Sequence, residues 1–246
     1  MNKQAVRATY TTLLLLGFIV CSFALCGFAS AGPIEDSFKK MFPKFQFDSI
    51  RESDIKGVYE VLKGTDIGLF APEPGYFIIG DFQMINREGK NVAELRKNEI
   101  ILSKIKSLPL DKALKVGSGK NTVIEITDPD CPYCRRAANF LEKRSDVTQY
   151  IFFLPLPYHK DSVNKIKYIF CSQDKEKAYS EATQGKLDNQ KYEVCKKQDV
   201  EDLLGIHRTV VAKLGIQSTP FFIINNSQIV VGADMPKLEE ALKGKQ

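Results

Sequence analysis

Alternation of apolar and polar positions marks the first half of the chain. VYEVL at 58–62, DIGLF at 66–70 and YFIIGDFQMI at 76–85 place apolar side chains at a period near two, separated by Gly, Pro and Asn-Arg-Glu-Gly turns. The pattern predicts a small antiparallel sheet and not a βαβ unit. Ahead of it, PIEDSFKKMFPKFQF at 33–47 reads as a short amphipathic helix closed by Pro43. After it, VAELRKNEIILSKIKS at 92–107 sets Leu95, Ile100, Ile101 and Ile105 near one helical face with charges opposite. Pro109 and then Gly117-Ser118-Gly119 end that helix and mark a linker.

The second half follows a different rhythm. TVIEIT at 122–127 reads as a buried strand, a Cys-x-x-Cys and a helix to about Arg144 come next, and QYIFFLPL at 149–156 reads as another strand. Residues 161–214 are mostly helical in pattern. FFIIN at 221–225 and QIVV at 228–231 flank Asn226-Ser227 as a hairpin, and Pro236 opens a last helix. The order is β-α-β, a helical insert, then β-β-α. The expected segments are 1–31, 32–91, 92–118 as linker helix and hinge, and 119–246.

The first 31 residues belong to neither pattern. They hold Lys3 and Arg7 and no acid, then the apolar run Leu13–Ala29, then Ala29-Ser30-Ala31. This reads as a secretory signal peptide cut after Ala31. The rival is a retained anchor, because the run is near the lower length limit for spanning a bilayer. A lipoprotein signal is weaker, since Val20 and Leu25 precede Cys21 and Cys26 where a small residue is wanted.

Composition narrows the function classes. The chain has 246 residues, 43% hydrophobic and 26% charged, which excludes disordered and fibrous classes. The net charge of +5 comes with no basic run that would bind nucleic acid, and two His argue against a His-rich metal enzyme. Beyond the leader, Cys131, Cys134, Cys171 and Cys195 remain. An exported chain sits where disulfides persist, so each needs an oxidation-state account.

The candidate chemistry lies in Asp130-Cys131-Pro132-Tyr133-Cys134, between a strand and a helix. A sulfur at a helix N-terminus faces unpaired N–H groups and the positive end of the dipole, and both favour thiolate. Motifs of this type lower the first thiol to roughly pKa 3.5–7.5. The thiolate is both a nucleophile and a good leaving group. Pro132 suits the first turn because its missing N–H has no helical partner anyway. Arg135 and Arg136 add positive charge nearby. Half a zinc site is the competing reading, but Cys171 and Cys195 supply no second Cys-x-x-Cys. A purely structural Cys131–Cys134 bridge closes too short a loop to stabilise much. Glu125, six residues before Cys131, either points to solvent or is buried with a raised pKa and serves as proton shuttle for Cys134. Alternation within one strand leaves both open. Cys171 and Cys195 enclose the helical insert, and as a disulfide they would constrain the unfolded chain by about 3 kcal/mol. His159 and His207 have no partner pattern and read as non-catalytic.

TDPDCPYC, FFLPLP and STPFFIINN resemble the thioredoxin-like domain of the DsbC/DsbG family of periplasmic thiol-disulfide isomerases. IRESDIKGVYEVLKG and YFIIGDFQMI, with Gly80, resemble the family's N-terminal dimerisation domain, and 92–107 its connecting helix. The resemblance implies a mixed α+β and α/β fold: a small N-terminal cystatin-like antiparallel sheet domain, a linker helix, and a C-terminal thioredoxin-like domain with a helical insertion. It implies a homodimer whose cleft takes misfolded exported proteins without sequence preference, and an inner-membrane reductase of the DsbD type as electron donor. It assigns Cys131 as nucleophile, Cys134 as resolving thiol, and Thr219 with a cis Pro220 as the ledge for substrate backbone. Cys171 and Cys195 resemble the structural disulfide of DsbC-like members, whereas the Pro-Tyr dipeptide is DsbG-like. No metal or organic cofactor is implied. Two other functions remain open: a DsbA-like oxidase that donates disulfides, and a holdase chaperone with an incidental Cys-x-x-Cys.

Overall fold

The alternating segments of the first half pair as a four-stranded antiparallel sheet in the order β1-β2-β3-β4: Ser49–Glu52, Tyr59–Lys63, Asp66–Ala71 and Tyr76–Ile78. The computed structural model describes residues 32–244. The expected signal peptide at 1–31 lies outside the described residues. Helix α1, Pro33–Met41, begins on its proline and carries Glu35 and Asp36 in its first turn, Lys39 and Lys40 in its last. That order of charges suits the helix dipole. Its Phe38 is fully buried and meets Phe70 and Phe77 edge-on, at ring separations of 5.1 and 4.8 Å. Such pairs add about 0.5–1.5 kcal/mol each beyond the burial itself.

Three local expectations change here. The run 76–85 is a strand only to Ile78, because Gly80 takes φ +109 and turns the chain away, with just an isolated bridge from Ile85 to Asn91. Strand β1 was not anticipated, since SIRE carries one apolar residue. Helix α2, Val92–Lys104, is capped by the Asn91 side chain and buries Ile100 and Ile101, but Leu95 is exposed. The face of α2 that meets protein is narrower than its apolar pattern.

The second sheet has the order β5-β7-β6-β8-β9. Strands β6 (Asn121–Thr127) and β7 (Val147–Phe153) are parallel, joined through α3 (Pro132–Leu141); β8 (Phe221–Ile224) and β9 (Gln228–Val231) form the closing hairpin, with Asn225 and Asn226 at positive φ. Strand β5, Leu114–Val116, pairs antiparallel with β7 inside the stretch expected as linker and hinge. Three residues are too few to show a period, which is why it escaped the pattern. The insert comprises α4 (Ser162–Cys171), α5 (Lys175–Thr183) and α6 (Gln198–Leu214), and α7 (Met235–Lys243) ends the fold.

Each face of this sheet is covered. Ile124, Ile126, Phe152 and Ile223 pack against α2 and the C-terminal half of α6. On the opposite face, Val123, Phe222 and Ile224 meet α3 and α7, while Ile151 and Phe153 meet α4 and α5. A sheet buried on both sides reads as continuous apolar sequence, as β8 does, and β6 departs from that pattern at Glu125. Among the described residues no helix is long and apolar enough to cross a membrane.

Candidate active site

Strand β6 delivers the chain to the N-terminus of α3, and the residues between them form the site. Cys131 is the N-cap of α3, Pro132 its first residue, and the Arg135 N–H bonds to the Cys131 carbonyl at 3.0 Å. Cys134 follows one turn on, fully buried, and both sulfurs are free thiols. The loop before β8 brings a cis Thr219–Pro220 bond alongside, with the Cys131 Sγ 3.8 Å from the Thr219 carbonyl oxygen. Residues 88 positions apart thus meet at one sulfur. Cys131 keeps only 4% of its surface, but Pro132 and Tyr133 beside it and Ser218 on the facing loop are exposed. The Cys131 sulfur thus lies just beneath exposed residues of α3 and of the facing loop.

The two thiols are strongly unequal. The Cys134 side chain, hydrogen-bonded to the Cys131 sulfur, is the main cause that brings Cys131 down to about 5; burial opposes it, and the backbone N–H groups of Cys134 and Tyr133 and the Thr219 side chain assist. Cys134 is pushed up, first by burial and then by the neighbouring Cys131. The outer sulfur is poised as thiolate, and the inner one holds its proton.

Glu125 sits at the centre of the sheet, opposite Ile151 of β7 and Phe222 of β8, with no exposure. Neither of its oxygens has a hydrogen-bond partner among the described residues. Desolvation raises its carboxyl to about 7, against a smaller opposing effect of the Thr127 hydroxyl. Two groups near it were not anticipated. Thr127 lies two residues on, hence on the same face, and its hydroxyl influences Cys134 as well. Tyr179 of α5 is buried against Phe153, and its phenol is raised by burial first and then by the charges of Glu125 and Cys134. Period two could have paired Thr127 with Glu125. Nothing in the sequence of the insert marks Tyr179.

The turn itself is pinned by a buried carboxylate that sequence reading also missed. Asp128 accepts from the Asp130 N–H at 2.9 Å, the Leu156 N–H at 2.7 Å and the Ser162 hydroxyl at 2.7 Å, and faces His159 Nδ1 at 2.8 Å. A carboxylate removed from water is tolerable only with its acceptor sites filled in this way. His159 therefore has a partner after all. His207 accepts from the Phe153 N–H through Nδ1, so Nε2 carries the hydrogen and donates to the Lys112 carbonyl; burial lowers its pKa, as in a satisfied core histidine. Arg135 points inward to Asp130 and Asp188, while Arg136 is exposed with its guanidinium 5.4 Å from the Tyr133 ring. Cys171 and Cys195 are bonded to each other at the C-terminal end of α4, with Cα atoms 6.0 Å apart.

The thioredoxin-like domain family matches residues 109–243, and the disulfide bond isomerase protein N-terminal domain matches 27–94. A probable thiol:disulfide interchange protein DsbC of Bordetella avium is 26% identical over 148 residues, 58% of this chain. The matched part spans about half of that relative, 52% of its length. The thiol:disulfide interchange protein DsbC of Escherichia coli is 24% identical over 220 residues, 87% of this chain and 88% of that protein. Among solved structures, a disulfide interchange protein from Neisseria gonorrhoeae shares 30% identity over 55% of this chain and 96% of its own, with a TM-score of 0.47. With these two matched segments in tandem, the chain belongs to the thioredoxin-like domain family and carries, ahead of that domain, a segment similar to the N-terminal domain of disulfide bond isomerases.

Proposed function

We propose that this chain reshuffles or reduces incorrect disulfides of exported proteins in the periplasm, with Cys131 as nucleophile and Cys134 as resolving thiol. The observation that carries the proposal is the asymmetry of the two sulfurs: a low-pKa outer thiol in front of a buried, protonated inner one. The Cys131 thiolate attacks a substrate disulfide, forms a mixed disulfide and releases one substrate thiolate. If that thiolate, or another on the substrate, attacks the mixed disulfide, Cys131 returns reduced and no net electrons move. If Cys134 attacks instead, its proton passes to the Glu125 carboxylate, the second substrate sulfur leaves as a thiolate, both substrate thiolates take protons from water, and Cys131–Cys134 is oxidised by two electrons. A buried Cys134 is slow to ionise, so the mixed disulfide lives long enough for substrate thiols to try other pairings. The Thr219–Pro220 loop would hold the extended substrate chain beside the sulfur.

Isomerisation needs a reduced Cys131, which in an oxidising compartment requires an electron donor, read here as a DsbD-type inner-membrane reductase. The test is to trap thiols in living cells with an alkylating reagent and to map the adducts. The expected result is Cys131 and Cys134 alkylated, Cys171–Cys195 oxidised, and a chain beginning at Gly32. A mostly oxidised Cys131–Cys134 pair would assign the protein to the oxidase class instead.

The N-terminal segment 32–91 is read as the dimerisation unit, joined by 92–118 to the catalytic segment. Strand β4 is the edge of its sheet, and Tyr76, Ile78 and Ile79 are 66%, 50% and 58% exposed. An open apolar edge of this kind is normally covered. A second copy paired there would place two Cys131 sites about one cleft and supply the holdase character. The solution mass is expected to be that of two chains, and Ile78→Lys to halve it; a parent protein with the mass of one chain removes this part of the proposal.

A further inference from the structure

A second polar network reaches the Cys131 turn from the helical insertion. Residues 184–197, between α5 and α6, carry neither helix nor strand. A coil of that length holds one conformation only when tied down. The Cys171–Cys195 disulfide anchors its far end to α4. The Tyr192 hydroxyl donates to Asp161 at 2.7 Å. Asp188 takes both prongs of the Arg135 guanidinium, Nη1 to Oδ2 at 2.6 Å and Nη2 to Oδ1 at 2.9 Å. It also accepts from Lys165, whose side chain is only 3% exposed.

These two cations reach past Asp188 to the active-site turn. Arg135 donates from Nη2 to Asp130 at 3.0 Å and from Nε to the Pro129 carbonyl at 2.7 Å, and Lys165 donates to Asp130. Pro129 and Asp130 are the two residues directly ahead of Cys131. Arg135 and Lys165 are balanced by Asp130 and Asp188, with Asp161 farther off, 3.9 Å from Lys165. Removing one carboxylate leaves a buried ammonium and a guanidinium competing for the other, which disfavours the present geometry. Arg135 first, and Lys165 after it, hold the Asp188 carboxyl down at about 2. Gly185 fits the same arrangement: its φ is +75, and a Cβ there would lie 3.0 Å from Asp188 Oδ2 and 3.3 Å from Arg135 Nη1.

We propose that Asp188 is a positioning residue for the Cys131 turn, and that the Cys171–Cys195 disulfide acts on the reactivity of Cys131 by tethering the coil that carries Asp188. The inference rests on Cys131 being the nucleophile. A turn released from Arg135 and Lys165 aligns the Cys134 thiol and the Tyr133 and Cys134 N–H groups less well on the Cys131 sulfur, and the thiolate loses part of its stabilisation. The disulfide then serves chemistry as well as stability, through Asp188 to Arg135 and Lys165 to Pro129 and Asp130.

The experiment measures the rate of Cys131 carboxamidomethylation against pH, by mass spectrometry on the purified full chain. It compares the parent, Asp188→Asn, Asp188→Glu, Cys171→Ala with Cys195→Ala, and that pair combined with Asp188→Asn. Asp188→Asn is expected to raise the midpoint by about one pH unit. The disulfide-free protein is expected to show a similar rise, the combined variant no further rise, and Asp188→Glu most of the parent value. Thermal unfolding followed in parallel confirms that Asp188→Asn, altered at a half-exposed side chain, is folded. A midpoint unmoved by Asp188→Asn, or shifts that add in the combined variant, overturns the coupling. A parent whose Cys131 titrates as an ordinary thiol, near about 8.5, overturns the functional reading itself; a low parent midpoint with no response to Asp188→Asn overturns this inference alone.

Discussion

Cys131→Ser is expected to lower disulfide reduction and reshuffling by at least about a thousandfold, because a serine hydroxyl is not ionised at neutral pH and cannot form the mixed disulfide. Cys134→Ala is expected to behave in the opposite sense. It keeps the proposed nucleophile and removes the proposed resolving thiol, so covalent adducts with exported proteins are expected to accumulate and reduction to stop while reshuffling partly continues. Insulin reduction, refolding of a scrambled disulfide protein and non-reducing gels separate the two outcomes. The contrast follows from burial: Cys131 keeps 4% of its surface, beside exposed Pro132 and Tyr133, and Cys134 keeps none. Retention of full reshuffling activity by Cys131→Ser would leave the Cys-x-x-Cys without a role and return the protein to the chaperone class.

Glu125→Gln should have the second largest effect, and it should be visible in stability and in rate. The carboxyl is raised from 4.5 to about 7 by desolvation. A raised folded-state pKa means that the neutral form fits the fold. The contribution of this group is therefore fully present below pH 4.5, is lost as the pH rises towards about 7, and stays lost above it. A shift of this size corresponds to roughly 3 kcal/mol. The difference in unfolding free energy between parent and Glu125→Gln, from urea titrations at pH 4 to 8, is expected to move by about that amount in favour of the variant as pH rises. The same substitution removes the proposed acceptor for the Cys134 proton. Resolution of the mixed disulfide should slow by about a hundredfold near neutral pH, with Cys131 alkylation unchanged. A pH-independent stability difference would mean that Glu125 titrates as an ordinary surface carboxylate.

Legibility of the site tracked how local each interaction is. The Cys131 turn could be read because strand, Cys-x-x-Cys, Pro132 and helix are contiguous. Its electrostatic setting could not. Asp128 draws its donors from Leu156, Ser162 and His159 as well as Asp130, and Asp188 lies 53 residues beyond the Arg135 it binds. No periodicity links positions that meet only after the insertion folds. Elements followed the same rule. Strand β8 is an unbroken apolar run and β6 a seven-residue strand dense in β-branched residues, and both stood out, whereas β5, with three residues at a sheet edge, is made by pairing to β7. Leu95 matched the apolar face of its helix by spacing, but the partner surface stops short of it.

What the residues by themselves determined is the chemistry on offer: two cysteines at helix spacing after a buried strand, a proline able to take the cis bond, and two apolar rhythms that call for two different sheets. Tertiary structure decided which of those groups are reactive. Reactivity here is a matter of solvation and of oriented N–H groups, and both are properties of surroundings that the chain assembles from distant segments. Burial between β7 and β8 turned Glu125 from a choice of two faces into a carboxyl near neutrality. One turn of α3 separated two chemically identical thiols into an ionised outer sulfur and a protonated inner one.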